Sequence, residues 1–116
     1  MSAQVFVYGT LRQGQSNAFL LAQSQFLGRY ITEKHFHLFD LGEYPAAIKG
    51  DELLVGEVYR VDDATLARLD LLEDYPHEYD RQLIDTPYGP AWIYLYQDPR
   101  SLKRRIFTGD WCQTQN

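Results

Sequence analysis

Hydrophobic and polar positions alternate over short stretches along most of this chain, and one stretch switches to a helical period. Gln4–Tyr8 (QVFVY) is β-branched and aromatic and predicts a buried strand. The glycine-bounded loop Gly9-Thr10-Leu11-Arg12-Gln13-Gly14-Gln15 breaks it. Ser16 or Asn17 is then placed to cap a short helix over Ala18–Gln23. Two strand segments fit between Phe26 and Leu41, with Phe36, Leu38 and Asp40 on one face and His35, His37 and Phe39 on the other. Gly42-Glu43-Tyr44-Pro45 predicts a turn, Ala46–Lys49 a short strand and Gly50-Asp51 a second turn. Leu53–Val61 (LLVGEVYRV) is the strongest strand pattern, with Glu57 and Tyr59 on one face and Val58 and Arg60 on the other.

The helical period falls on Asp62–Asp74. Asp62 is a natural N-cap, and Val61 and Leu66 occupy the two positions of a hydrophobic staple. Tyr75-Pro76-His77 ends the helix, because proline biases its predecessor out of the α region. Tyr79–Thr86 and Ala91–Gln97 then read as a hairpin around Pro87-Tyr88-Gly89-Pro90. No repeat, low-complexity stretch or linker divides residues 1–116, which read as one domain. Strands outnumber helices without βαβ alternation, which favours a mixed α+β domain or small barrel.

Composition narrows the chemistry. A formal charge of −5 argues against nucleic acid and against an anionic membrane surface as partners. The basic cluster Lys103-Arg104-Arg105 reads as a solvated face. One cysteine, Cys112, allows no internal disulfide and argues against a thiolate zinc site. The first thirty residues lack a signal-peptide pattern and no apolar run is long enough to span a bilayer, so the expected location is the cytoplasm. Nine tyrosines suit strand-rich cores as well as a pocket that is apolar and hydrogen-bonding together, so Tyr44, Tyr79, Tyr94 and Tyr96 stay open between those roles.

Gly9 to Ser16 fits a phosphate-binding P-loop except at one position, where Gln15 replaces the lysine that reaches the terminal phosphates. A neutral amide cannot supply that charge, and nucleotide hydrolysis drops out. A strand ending at glycine can still aim consecutive amides at a carboxylate, although spacing alone fits an ordinary glycine turn better. On the helical wheel Glu73 falls between Leu66 and Leu69, on the inward stripe. There a carboxylate is either buried with a raised pKa, suited to proton transfer, or exposed where the helix frays. His35, His37 and His77 have no carboxylate or cysteine at ligand spacing, so no metal is expected.

Set beside the helix, Val5-Phe6-Val7-Tyr8-Gly9-Thr10-Leu11-Arg12 resembles the signature of the γ-glutamylcyclotransferase-like proteins, bacterial members included. Gly42-x-Tyr44-Pro45-Ala46, Val55-Gly56-Glu57-Val58-Tyr59, Leu69-Asp70-x-x-Glu73, Tyr79-x-Arg81 and Gly109-Asp110-Trp111 agree in order, so the likeness spans nearly the whole chain. The resemblance implies an α+β fold, a small mixed β-barrel with flanking short helices. It also implies a loop, Tyr8, Gly9, Thr10 and Leu11, that holds a γ-glutamyl group largely through backbone groups. Glu73 is then the catalytic acid/base and Tyr79 borders the pocket. The substrate is a small γ-glutamyl amide, cyclised to 5-oxoproline with release of an amine, and no metal or other cofactor is required. In one departure Asp74 stands where the animal enzymes tend to have glycine, and a second acid there is expected to alter the pKa of Glu73 or the substrate range. The alternative is a catalytically silent small-molecule binding module of the same fold; a third reading makes the tyrosines a partner surface. Nothing in the pattern fixes an oligomeric state.

Overall fold

The computed structural model describes residues 2–112. Among these, the strands in chain order are β1 (Ser2–Val7), β2 (Gln25–Ile31), β3 (Phe36–Asp40), β4 (Pro45–Lys49), β5 (Val55–Asp62), β6 (Tyr79–Ile84), β7 (Ala91–Tyr96) and β8 (Arg104–Arg105). The helix α1 (Asp63–Leu72) joins β5 to β6. β1 lies in the middle of a five-stranded sheet of order β2-β5-β1-β7-β6, antiparallel to β5 and parallel to β7. A smaller antiparallel sheet has the order β4-β3-β8.

Strict alternation explains how β1 serves two cores at once. Phe6 points to one face, where it joins Phe36, Leu38, Ala47, Val58 and Ile93 between the two sheets. Val5 and Val7 point to the other, where Leu21, Tyr59, Val61 and Leu69 cover the large sheet with α1. The mixed α+β class is therefore observed, but the expected barrel is not. β4 lies against β7 with no ladder between them, so the sheets meet through side chains and keep open edges.

Local chemistry sets the helix ends. The Asp62 carboxylate accepts from the Thr65 amide at 2.7 Å, and Val61 and Leu66 share one apolar cluster, as the capping and staple pattern predicts. At the other end Glu73 is the C-cap and Asp74 takes φ = 49°. That left-handed position is the one glycine favours after a helix, and here Asp74 holds it.

The helix expected over Ala18–Gln23 is only a 3₁₀ turn, Ala18–Leu21. Asn17 does not cap it with its side chain; its Nδ2 donates instead to Thr10 Oγ1 at 2.9 Å, tying this turn to the loop after β1. The basic cluster also differs from a plain solvated face. Arg104 and Arg105 form β8 against Phe39 and Asp40, and the Arg105 guanidinium sits over Phe107, 3.8 Å from Asp51 and 3.7 Å from Glu52. No helix among the described residues is long and apolar enough to cross a membrane.

Candidate active site

β1 ends at Val7, and the chain beyond it turns along one wall of a cavity of about 650 Å³. That volume suits a small molecule. Tyr8, Gly9, Thr10 and Leu11 line it from this loop, Tyr44 and Pro45 from the start of β4, Glu73 from the end of α1 and Tyr79 from β6. The loop and β4 touch closely: a Cβ on Gly9 would lie 2.6 Å from Pro45 Cγ.

The loop's hydrogen bonds are unevenly spent. The Arg12 amide donates to the Gly9 carbonyl at 3.0 Å, and the Gln13 amide donates to Glu57 Oε1 at 3.0 Å. Among the described residues no protein acceptor takes the amides of Gly9, Thr10 or Leu11. Three consecutive donors on a cavity wall form a ready seat for a carboxylate or an oxyanion.

Glu73 lines the same cavity, as its place on the inward stripe allows. Burial, and secondarily the charge of Glu78, push its carboxyl up to about 7. The neighbouring charge is thus that of Glu78, which also lines the cavity, whereas Asp74, from which the resemblance led us to expect such an effect, is exposed. Glu78→Gln should therefore lower the midpoint of the Glu73 titration, read from its side-chain ¹³C carboxyl shift. Asp74→Gly should leave that midpoint in place. The reverse ranking would remove Glu78 as the charge that matters.

The tyrosines divide their work. Tyr8 Oη donates to the Tyr94 carbonyl at 2.6 Å and accepts from the Ala47 amide at 3.3 Å, while Tyr79 Oη donates to the Pro45 carbonyl at 2.8 Å. Burial raises the pKa of both phenols, so they act here as fixed donors. Tyr44 Oη donates to Glu78 Oε2 at 2.9 Å at the cavity edge.

With this loop, carboxylate and cavity in one place, comparison with known proteins is decisive. Residues 5–113 match the family described as gamma-glutamyl cyclotransferase, AIG2-like. The chain belongs to that family. A Vibrio cholerae protein named "Putative gamma-glutamylcyclotransferase" is 53% identical, over 97% of this chain and 98% of its own length. The solution structure of YtfP from Escherichia coli is 46% identical with a TM-score of 0.78, over 97% of this chain and 99% of that one. The crystal structure of an uncharacterized Pyrococcus horikoshii protein gives a TM-score of 0.86 at 30% identity, covering 97% and 92%.

Two side-chain assemblies of this cyclotransferase-family chain escape sequence spacing. One turn before Glu73, Asp70 accepts from Arg81 Nε at 2.9 Å and from Tyr94 Oη at 2.7 Å. Arg81 itself is held between the Tyr75 and Trp92 rings, 4.4 and 4.3 Å from their centres. Both residues stand in segments that carry the family resemblance, but no spacing marks Asp70 and Arg81 as partners. The second assembly joins Arg12, which does not line the cavity, to Glu57 and Asp110. As for the histidines, His37 Nε2 lies 2.6 Å from Asp51 and His35 Nε2 3.6 Å from Glu33. Neither pair gathers the three ligands a metal needs, among the described residues.

Proposed function

We propose that the cavity cyclises a small γ-glutamyl amide, releasing 5-oxoproline and a free amine. The observation that carries this reading is the Glu73 carboxyl, with a pKa near 7, in one cavity with the unaccepted amides of Gly9 to Leu11. A group poised near neutrality exchanges protons efficiently in both directions. Glu73 takes a proton from the substrate's α-ammonium, and the freed amine attacks the γ-carbonyl carbon. The C–N bond of the five-membered lactam forms and the carbonyl oxygen becomes an oxyanion, held by the loop amides. Collapse of that intermediate breaks the original amide bond as Glu73 returns its proton to the departing nitrogen, and the ring nitrogen passes its second proton to the released amine, which leaves as an ammonium. Because attack is intramolecular, folding the substrate into reach supplies much of the acceleration.

Glu43 and Glu78 line the cavity beside Glu73, and among the described residues no lysine, arginine or histidine does. This balance favours leaving groups with a positive charge over those with a carboxylate. The test is 5-oxoproline release from a panel of γ-glutamyl compounds. A γ-glutamyl diamine should turn over faster than a γ-glutamyl amino acid. Binding of the panel without any 5-oxoproline would sink the reaction and leave the silent binding module of the same fold.

A further inference from the structure

Three stretches far apart in sequence meet behind the loop. Glu57 Oε1 accepts from the Gln13 amide at 3.0 Å and from Tyr59 Oη at 2.9 Å, and its Oε2 lies 3.5 Å from Arg12 Nε. Arg12 Nη1 donates to Asp110 Oδ1 at 2.7 Å and to the Val55 carbonyl at 3.4 Å. Gly109 delivers Asp110 to this point: it takes φ = 72°, and a Cβ on it would lie 2.1 Å from the Leu53 carbonyl oxygen. Its own carbonyl accepts from the Val55 amide at 2.8 Å. Arg12 is 6% exposed and Glu57 7%, and neither they nor Asp110 line the cavity.

Such a cluster is a costly way to fill space, since apolar side chains of similar volume stabilise a core at least as well. What it adds is one fixed geometry. Glu57 takes the amide that follows Arg12, and Arg12 is clamped from both sides, so the loop is pinned at its far end. At its near end Gly9 to Leu11 line the cavity, with amides that no described acceptor takes. We propose that Glu57, backed by Arg12 and Asp110, is a positioning residue that sets those three amides at the substrate without touching it. The kinetic part of this inference rests on the cyclisation reading; the structural part does not.

The experiment compares Glu57→Ala, Glu57→Gln and a matched core truncation that does not line the cavity, Val61→Ala. In Glu57→Ala the amide of Gln13 should exchange with solvent at least about tenfold faster, while amides within β1 keep their protection. In the same variant kcat for 5-oxoproline release should fall about 10²-fold, the scale of a misaimed oxyanion donor, with a smaller change in KM. Glu57→Gln keeps an oxygen for the Gln13 amide and should recover most of both. Val61→Ala should lower the melting temperature and leave kcat alone. Should Glu57→Ala not fold, Tyr59→Phe takes its place, since it removes one of the two donors on Oε1, and Gln13 exchange should rise severalfold. Unchanged Gln13 exchange, or a kcat loss that Val61→Ala reproduces, overturns the proposal. If the wild-type protein turns over no γ-glutamyl compound, the cyclisation reading fails, and the exchange result alone decides the clamp.

Discussion

Glu73→Gln is expected to fold normally and to lose about 10³-fold in kcat for 5-oxoproline release, within the ~10²–10⁴ range that a positioned general acid/base supplies. Glutamine keeps the shape and a hydrogen-bonding oxygen, but it can neither take the proton of an α-ammonium nor return one to a leaving amine. In the wild type kcat/KM should rise with pH and level off above about 7, as the carboxyl pushed up to that value ionises. The same shift has a signed consequence for stability. Between the ordinary value of 4.5 and about 7 the folded protein holds a proton that the unfolded chain releases, so stability falls as pH rises through that window. Glutamine has no such loss. Glu73→Gln should therefore melt at the wild-type temperature near pH 4 and above it near pH 8. Undiminished turnover in Glu73→Gln would remove Glu73 from the chemistry, whatever the melting data show.

Gly9→Ala is the second large effect. An ideal Cβ there falls 2.6 Å from Pro45 Cγ and 2.7 Å from Cδ, atoms of a ring that cannot swing aside as a flexible chain end can. Either the loop or the start of β4 must move, and the amides of Thr10 and Leu11 move with the loop. A displacement near 1 Å at a site of this kind costs on the order of 10²-fold in turnover. We expect kcat/KM to fall by about that factor while the cores on both faces of the large sheet stay folded. Pro45→Ala removes both opposing atoms, so the double variant Gly9→Ala/Pro45→Ala should regain a large part of the activity. Equal activity in Gly9→Ala and wild type would show that close packing of loop on β4 does not matter to the site.

The pattern of residues carried the elements further than their closure. β1, the hairpin of β6 and β7, and α1 with its Asp62 cap each follow from a period or a turn signal contained within a dozen residues. The barrel did not, because closure depends on whether β4 and β7 exchange backbone hydrogen bonds. Nothing local to Ala47 or Ile93 says that they meet through side chains instead. The short helix after Asn17 was overestimated too: the Asn17 side chain donates to Thr10, seven residues upstream, and caps nothing. Within the cavity, Glu73 was legible as a carboxylate on an apolar stripe. The loop was legible only as a glycine turn, and the family resemblance supplied its pairing with Glu73. Glu78 was not legible, since its influence comes across the cavity edge rather than along a helix face. Arg12 belongs to the segment that carries the family resemblance, yet its partners at positions 57 and 110 lie beyond the reach of any spacing argument.

The meeting of positions 12, 57 and 110 also bears on when the cavity comes into being during synthesis. Contacts that span most of a chain form only after its later residues are free to pack, and they make folding slow. A nascent chain that has released its first hundred residues already carries Glu73, Glu78 and every residue of the Gly9 to Leu11 loop. It lacks Asp110, the second anchor of Arg12, and it lacks Trp111, which also lines the cavity. The pocket is thus completed by the last described segment to emerge, and an unfinished chain would hold Glu73 in a cavity that still lacks the Trp111 side of its wall.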